Sequence, residues 1–369
     1  MHIRTFRESR ARGGAPCRKA HGAKTMFRAI SRPGTFMQRD RTMNRFRALS
    51  AAAALAALAG PAGAAISTLD AAVVPLIVVA DIPAAHVVSA PSWLDGVAKL
   101  TITRANGTFG CSGTLIGAGD WVLTAAHCLA GATSATVSFA QASGAPILSA
   151  ASFLVHSSWN GDLENGGDLG LIRLAATAPA SVTRYDLLRD VSVTGISQAT
   201  LAGYGISGNG NTGSNSASYG FGTLRSGLNR LDTVYDFIPG SPFAYDFDNG
   251  LTAQDAIGQI TDGLLQDLGF GNDEVLTAPG DSGGPSFAGT LLAGVHSFGA
   301  TVGPPIDIRD NFVNGNFGEL GGDTRIAFYS SWIDAAITPV PEPAVRVTLL
   351  AGLAFLGCTA LLRRRRGYR

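Results

Sequence analysis

Three short segments of this 369-residue chain carry side chains suited to acyl chemistry. The first, Trp121-Val122-Leu123-Thr124-Ala125-Ala126-His127-Cys128, is an apolar strand that delivers a histidine at its end. A neutral imidazole accepts a proton near neutral pH, and a serine hydroxyl must lose one to attack a carbonyl. In the second, Gly166-Gly167-Asp168-Leu169-Gly170-Leu171-Ile172-Arg173-Leu174, an acid opens an alternating apolar run. A carboxylate there would orient the imidazole and stabilise its cation, although alone it fits a turn aspartate before a strand equally well. In the third, Pro279-Gly280-Asp281-Ser282-Gly283-Gly284-Pro285, glycines on both sides expose a serine at a loop apex. The N–H groups of Gly280 and Ser282 can then converge on the oxyanion of an acyl-transfer intermediate. His86 and His156 have no such company and read as structural.

These groups need a scaffold, and the composition points to strands. Short Val, Leu, Ile, Thr and Ser runs recur between Gly and Asn clusters in a chain with 47 glycines, which predicts an all-β fold. The net charge of +1 conceals an asymmetry: residues 48–336 hold 9 Lys+Arg against 24 Asp+Glu. So acidic a body is a poor match for nucleic acid and favours solubility outside the cell.

In the order His127, Asp168, Ser282, the chain resembles the chymotrypsin and trypsin family of serine proteases from about residue 95 to 336. Cys111-Ser112-Gly113-Thr114-Leu115-Ile116 resembles the strand before the histidine loop. Gly203-Tyr204-Gly205 resembles the opening of the second barrel, Ser297-Phe298-Gly299 the substrate-binding strand, and Trp332-Ile333 the closing helix. The resemblance implies two antiparallel six-stranded Greek-key barrels over 91–190 and 191–336, with the active site between them and a short C-terminal helix. It implies catalysis through an acyl-enzyme on Ser282, an oxyanion hole at Gly280 and Ser282, and a Cys111–Cys128 bridge. No metal or organic cofactor is expected, and no spacing of Cys, His and acids matches a zinc site. The protein is expected to act on protein or peptide substrates as a monomer. The alternative is a catalytically silent protease fold serving as a surface binding or adhesion module.

Several positions depart from the family pattern. Asp281 is the acid that would pair with a newly cut N-terminus, yet no Ile-Val-Gly-Gly is present. Ile77-Val78-Val79-Ala80 and Val87-Val88-Ser89-Ala90 are its faint substitutes, and the distance from Cys111 favours the second. Leu276 stands where trypsin-like enzymes carry an acid for basic substrates, so cleavage after Lys or Arg is not expected, and Ala278 replaces the usual pocket cysteine. Thr277 and His296 match positions that hold an acidic side chain in bacterial glutamyl endopeptidases; the preferred reading is that His296 packs beneath the pocket. Residues 205–222 read as a surface insertion, Asp246-Phe247-Asp248-Asn249-Gly250 as a surface turn with an incomplete calcium-loop pattern, and Trp93 as core.

The ends read as addresses. Residues 1–42 form an Arg-rich leader attributable to a misplaced start, 43–65 a signal peptide, and 66–90 a propeptide or N-terminal segment. Pro339-Val340-Pro341-Glu342-Pro343, the apolar run Val347 to Leu362 and Arg363-Arg364-Arg365-Arg366 resemble a PEP-CTERM sorting signal over 337–369. That resemblance implies signal peptidase and exosortase-type processing, a transient membrane anchor, and export to the surface or surroundings of a Gram-negative cell. An ordinary single-pass anchor fits the same residues.

Overall fold

The computed structural model describes residues 70–72 and 76–338; the leader, signal-peptide and sorting-signal readings lie outside them. Among the described residues no helix is long and apolar enough to cross a membrane.

Two short strands come first, β1 (Asp70–Ala72) and β2 (Leu76–Val79). Then β3 (Val97–Arg104), β4 (Gly107–Ile116), β5 (Trp121–Thr124), β6 (Ala132–Ser138), β7 (Ile147–Val155) and β8 (Gly170–Leu174) close a barrel in the order β3-β4-β5-β8-β7-β6. Closure leaves no unpaired edge and seals Leu100, Ile102, Leu115, Val122, Val137 and Ile172 away from water. A helical turn, α1 (Ala126–Leu129), follows β5.

The second half contains β9 (Ile196–Gly203), β10 (Gly208–Asn209), β11 (Gly213–Ser214), β12 (Arg225–Leu231), β13 (Thr233–Val234) and β14 (Phe243–Asp246). After a helical turn, α2 (Ala256–Ile260), come β15 (Val275–Ala278), β16 (Pro285–Ala288), β17 (Leu291–Thr301) and β18 (Glu319–Arg325). Here the expected six-stranded closed barrel is not formed by backbone pairing. The strands run β12-β9-β16-β17-β18-β14-β13 as an open sheet, with β1 added on β17. At the seam a bulge between Asn229 and Leu231 breaks the ladder of β12. The Asn229 side chain takes its place, donating Nδ2 to the carbonyls of Asp246 and Val275 at 2.8 Å each. The closing helix, α3 (Ile326–Ile337), buries Ile326, Tyr329 and Ile333 in the cluster it shares with the first barrel.

Three expectations fail locally, in whole or in part, each for a packing reason. Residues 205–222 are only partly a surface insertion: 215–218 are exposed, while β10 and β11 join β2 and β15 in a four-stranded sheet. A Cβ at Gly210 would fall 2.5 Å from the Phe317 ring, so glycine there admits the ring rather than flexibility. Of the two stretches offered as activation-strand substitutes, Ile77–Val79 lies in β2 and pairs with β15, and Val87 makes an isolated bridge to Arg225 at 40% exposure. Trp93 lies at the surface with its edge on Phe287, 43% exposed. The Asp246–Asp248 stretch is buried, not a surface turn. Burial, and then repulsion from Asp246, pushes Asp248 up to about 11 and Glu274 up to about 9.

Candidate active site

The apolar strand β5 runs into Ala125 in extended conformation, and α1 then turns His127 toward the second half of the molecule. Its neighbours fix that turn. Ala126 and Leu129 are buried, and Cys128 is bridged to Cys111 on β4. The Arg104 guanidinium donates to the carbonyls of His127 at 2.5 Å and Cys128 at 2.9 Å, satisfying acceptors that so short a helix leaves open.

Asp168 enters β8 from Gly166 and Gly167, whose φ of +63° and +72° lie where a side chain is strained. The residue is 2% exposed. Its Oδ1 accepts the backbone N–H of His127 at 2.9 Å, and its Oδ2 lies 2.8 Å from His127 Nδ1. The Ser297 hydroxyl donates to the same Oδ2 at 2.5 Å, while the Asp168 carbonyl accepts from Thr324 Oγ1 at 2.9 Å. An acceptor facing Nδ1 places the imidazole proton there and makes Nε2 the basic nitrogen. Nε2 is buried and has no hydrogen-bond partner among the described residues, so its lone pair is available for an incoming proton.

Ser282 sits 6% exposed in the loop between β15 and β16. Its loop rests against β4: the Ser282 carbonyl accepts from Ser112 N at 2.8 Å. A Cβ at Gly283 would lie 1.9 Å from Thr124 Oγ1, so this glycine permits the close approach. Within the loop the N–H groups alternate in role. Those of Asp281, Gly283 and Gly284 donate to the carbonyls of Ala278, His296 and Asp281. Among the described residues those of Gly280 and Ser282 donate to no acceptor, leaving a pair of donors for an oxyanion.

Two supports of this loop escaped sequence reasoning. Ser112 donates its hydroxyl to Gly280 O at 2.9 Å and accepts from Tyr204 N at 2.9 Å, tying the loop to both halves. Gly203-Tyr204-Gly205 does more than open the second sheet. Cβ atoms at Gly203 and Gly205 would stand 2.0 and 2.6 Å from the Asp281 carboxylate. Asp281 is fully buried, and its oxygens accept from Gly205 N and Ala278 N at 2.7 Å each. Burial raises its pKa to about 7. The sequence signal was present as the bare pair of glycines, but nothing in it named a carboxylate as their neighbour.

The expected pocket residues are drawn inward. Leu276 and Thr277 are each 2% exposed and pair with Val78 and Ile77 of β2. His296 is fully buried, with Nδ1 3.1 and 3.2 Å from the two oxygens of Asp323. Asp323, missed by sequence reading, also accepts from Tyr245 Oη at 2.9 Å and from the Ser286 hydroxyl. Tyr245 Oη lies 3.3 Å from Thr277 Oγ1, so Thr277 and His296 belong to one network centred on Asp323. Phe298 lies over Gly322, where a Cβ would be 2.2 Å from its ring. Gly299 pairs with Ala72 of β1, so the chain's own N-terminal strand lies antiparallel to the strand carrying Ser297, Phe298 and Gly299.

Residues 86–226 match the trypsin family. The matched segment contains His127 and Asp168 and ends before Ser282. Among solved structures, one titled as an HL collagenase structure is similar, with 23% identity and a TM-score of 0.45 over 66% of this chain and 93% of that one.

Proposed function

We propose that this chain is a secreted serine endopeptidase that cleaves peptide bonds through an acyl-enzyme on Ser282. The trypsin-family match over residues 86–226 supports a serine peptidase. The observation that carries the mechanism is His127, whose Nδ1 faces Asp168 at 2.8 Å and whose buried Nε2 is unpartnered.

In this reading Nε2 takes the Ser282 proton as Oγ attacks the carbonyl carbon, and Asp168 stabilises the imidazolium that results. The carbonyl oxygen becomes an oxyanion between the N–H groups of Gly280 and Ser282. His127 returns its proton to the leaving amine; water, deprotonated by the same nitrogen, then hydrolyses the ester. The substrate backbone lies along β17 at Ser297, Phe298 and Gly299. An apolar side chain is preferred before the scissile bond. Leu276 occupies the position of a charge-reading acid, and a substrate carboxylate would meet Asp323 beside His296 instead of a free imidazole. Export is supported by the Cys111–Cys128 bridge, which persists in oxidising surroundings.

Incubation with a fluorophosphonate probe tests the reaction. Wild-type protein is expected to acquire one adduct on Ser282, and Ser282→Ala none; absence of an adduct in correctly folded wild type would overturn the proposal. A peptide library then reads specificity, and products ending in Lys or Arg would contradict the reading of Leu276.

A further inference from the structure

The carboxylates at the end of β14 take no part in this chemistry. Asp246, Asp248 and Asp255 each bring one oxygen to within 4.8 Å of the others, and their exposures are 2%, 3% and 2%. Alternation along the chain turns Phe247 the other way, onto Phe317, and leaves Asp246 and Asp248 on one side. A turn in which Asn249 Oδ1 accepts from Leu251 N returns the chain so that Asp255 can join them.

Two of the three carboxylates are oriented by backbone donors. Asp246 Oδ2 accepts from Ile257 N at 2.7 Å, and Asp255 Oδ1 from Gly258 N at 2.6 Å. Asp248 is different: its Oδ1 is buried and accepts no hydrogen bond from the described residues. Around them stand Asp232, Asp267 and Glu274, and the cation they share is Arg230. Its Nε lies 3.2 Å from Asp232 and its Nη1 2.6 Å from Asp267. Gly269 draws the group tight, since a Cβ there would lie 2.7 Å from Asp248 Cβ and 2.9 Å from Glu274 Oε2. One guanidinium cannot balance six carboxylates, and an ionised carboxylate is among the costliest groups to bury without a partner.

We infer that Asp246, Asp248 and Asp255 bind a divalent cation, calcium in preference to magnesium or zinc. Oxygens bound to one calcium at about 2.3–2.6 Å stand at most about 5 Å apart, which the three carboxylates satisfy. The set offers hard oxygen donors and no imidazole or thiolate, which disfavours zinc. Magnesium retains several waters in a near-ideal octahedron, for which so enclosed a cluster is unsuited. Once bound, calcium ties residues 247–255 and α2 to β14. Through Asn229, which bonds both Asp246 O and Val275 O, it also braces β15 and the pocket wall. The site is a structural one and stands whether or not Ser282 is a nucleophile.

The test uses the folded protein stripped with EDTA and titrated with calcium chloride or magnesium chloride, followed by calorimetry and thermal unfolding. Wild type is expected to bind one calcium per chain more tightly than magnesium and to melt higher when loaded. Asp248→Asn should weaken calcium binding at least about tenfold. It should also melt below wild type in saturating calcium, having lost a ligand to the ion. Binding that fails to saturate below millimolar calcium, or an Asp248→Asn affinity equal to wild type, would overturn the inference. Should that variant not fold, crystals of wild type soaked in terbium decide. An anomalous peak among the three carboxylates supports the site; a peak only elsewhere, or none, refutes it.

Discussion

Ser297 and His127 converge on one atom, Oδ2 of Asp168, the hydroxyl at 2.5 Å and the imidazole nitrogen at 2.8 Å. The two come from opposite halves of the molecule, so the carboxylate is held in place only when both sheets have packed. Asp168→Asn is expected to keep the fold but offer an amide N–H to Nδ1, forcing the wrong tautomer. Its kcat on a peptide ester should fall about 10⁴-fold. Ser297→Ala, which removes a positioning hydrogen bond, should cost only about tenfold. An Asp168→Asn enzyme within tenfold of wild type would remove Asp168 from the mechanism.

The pairing of Ala72 with Gly299 gives the N-terminal strand the place that a substrate backbone would take. A chain beginning at Leu76 should therefore show a lower KM for peptide substrates than one beginning at Ile66, with kcat changed little. Equal KM values would mean that β1 does not compete for the edge of β17.

The Cys111–Cys128 bridge closes a loop spanning 17 positions of sequence. Loop-closure entropy assigns such a crosslink about 3 kcal/mol. Replacing both cysteines by serine should lower the urea midpoint by the corresponding amount. Because Cys128 neighbours His127, it should depress kcat as well; a midpoint that does not move would show that the bridge adds nothing to stability.

Buried acids set the pH dependence of stability. Burial raises Asp281 and Glu319 to about 7 each, Glu319 even though it accepts from the N–H groups of Asn314, Gly315 and Asn316. The folded chain thus keeps protons that the unfolded chain releases between about pH 4 and 7, and stability falls as pH rises through that window. In EDTA the melting temperature should be higher at pH 5 than at pH 8. Glu319→Gln should flatten the slope by on the order of 1–3 kcal/mol. A Glu319→Gln slope as steep as wild type would contradict this account.

The chemistry-bearing residues were legible because each sits in a distinctive local frame. His127 ends an apolar strand, Asp168 opens an alternating apolar run, and Ser282 has glycines on both sides. The first barrel was implied by the family resemblance, and β3 to β8 close as that resemblance expects. Ser112 and Asp323 were not legible, because their partners lie 92 and 27 or more residues away, at Tyr204 and His296. A serine beside a cysteine and an aspartate after two glycines carry no local mark of such contacts.

Sequence by itself determined which groups are available: an imidazole, two carboxylates and a hydroxyl in family order, a cysteine pair able to bridge, and an acidic body. Tertiary structure decided what each group faces. It set His296, expected to pack beneath the pocket, against Asp323, and made β2, within the expected propeptide or N-terminal segment, a core strand. It also turned Asp246 and Asp248 from a surface turn into buried carboxylates. The physical reason is common to all three. Burial and ion pairing depend on which strands pack together, and a charge acts through neighbours that the chain brings close only by folding.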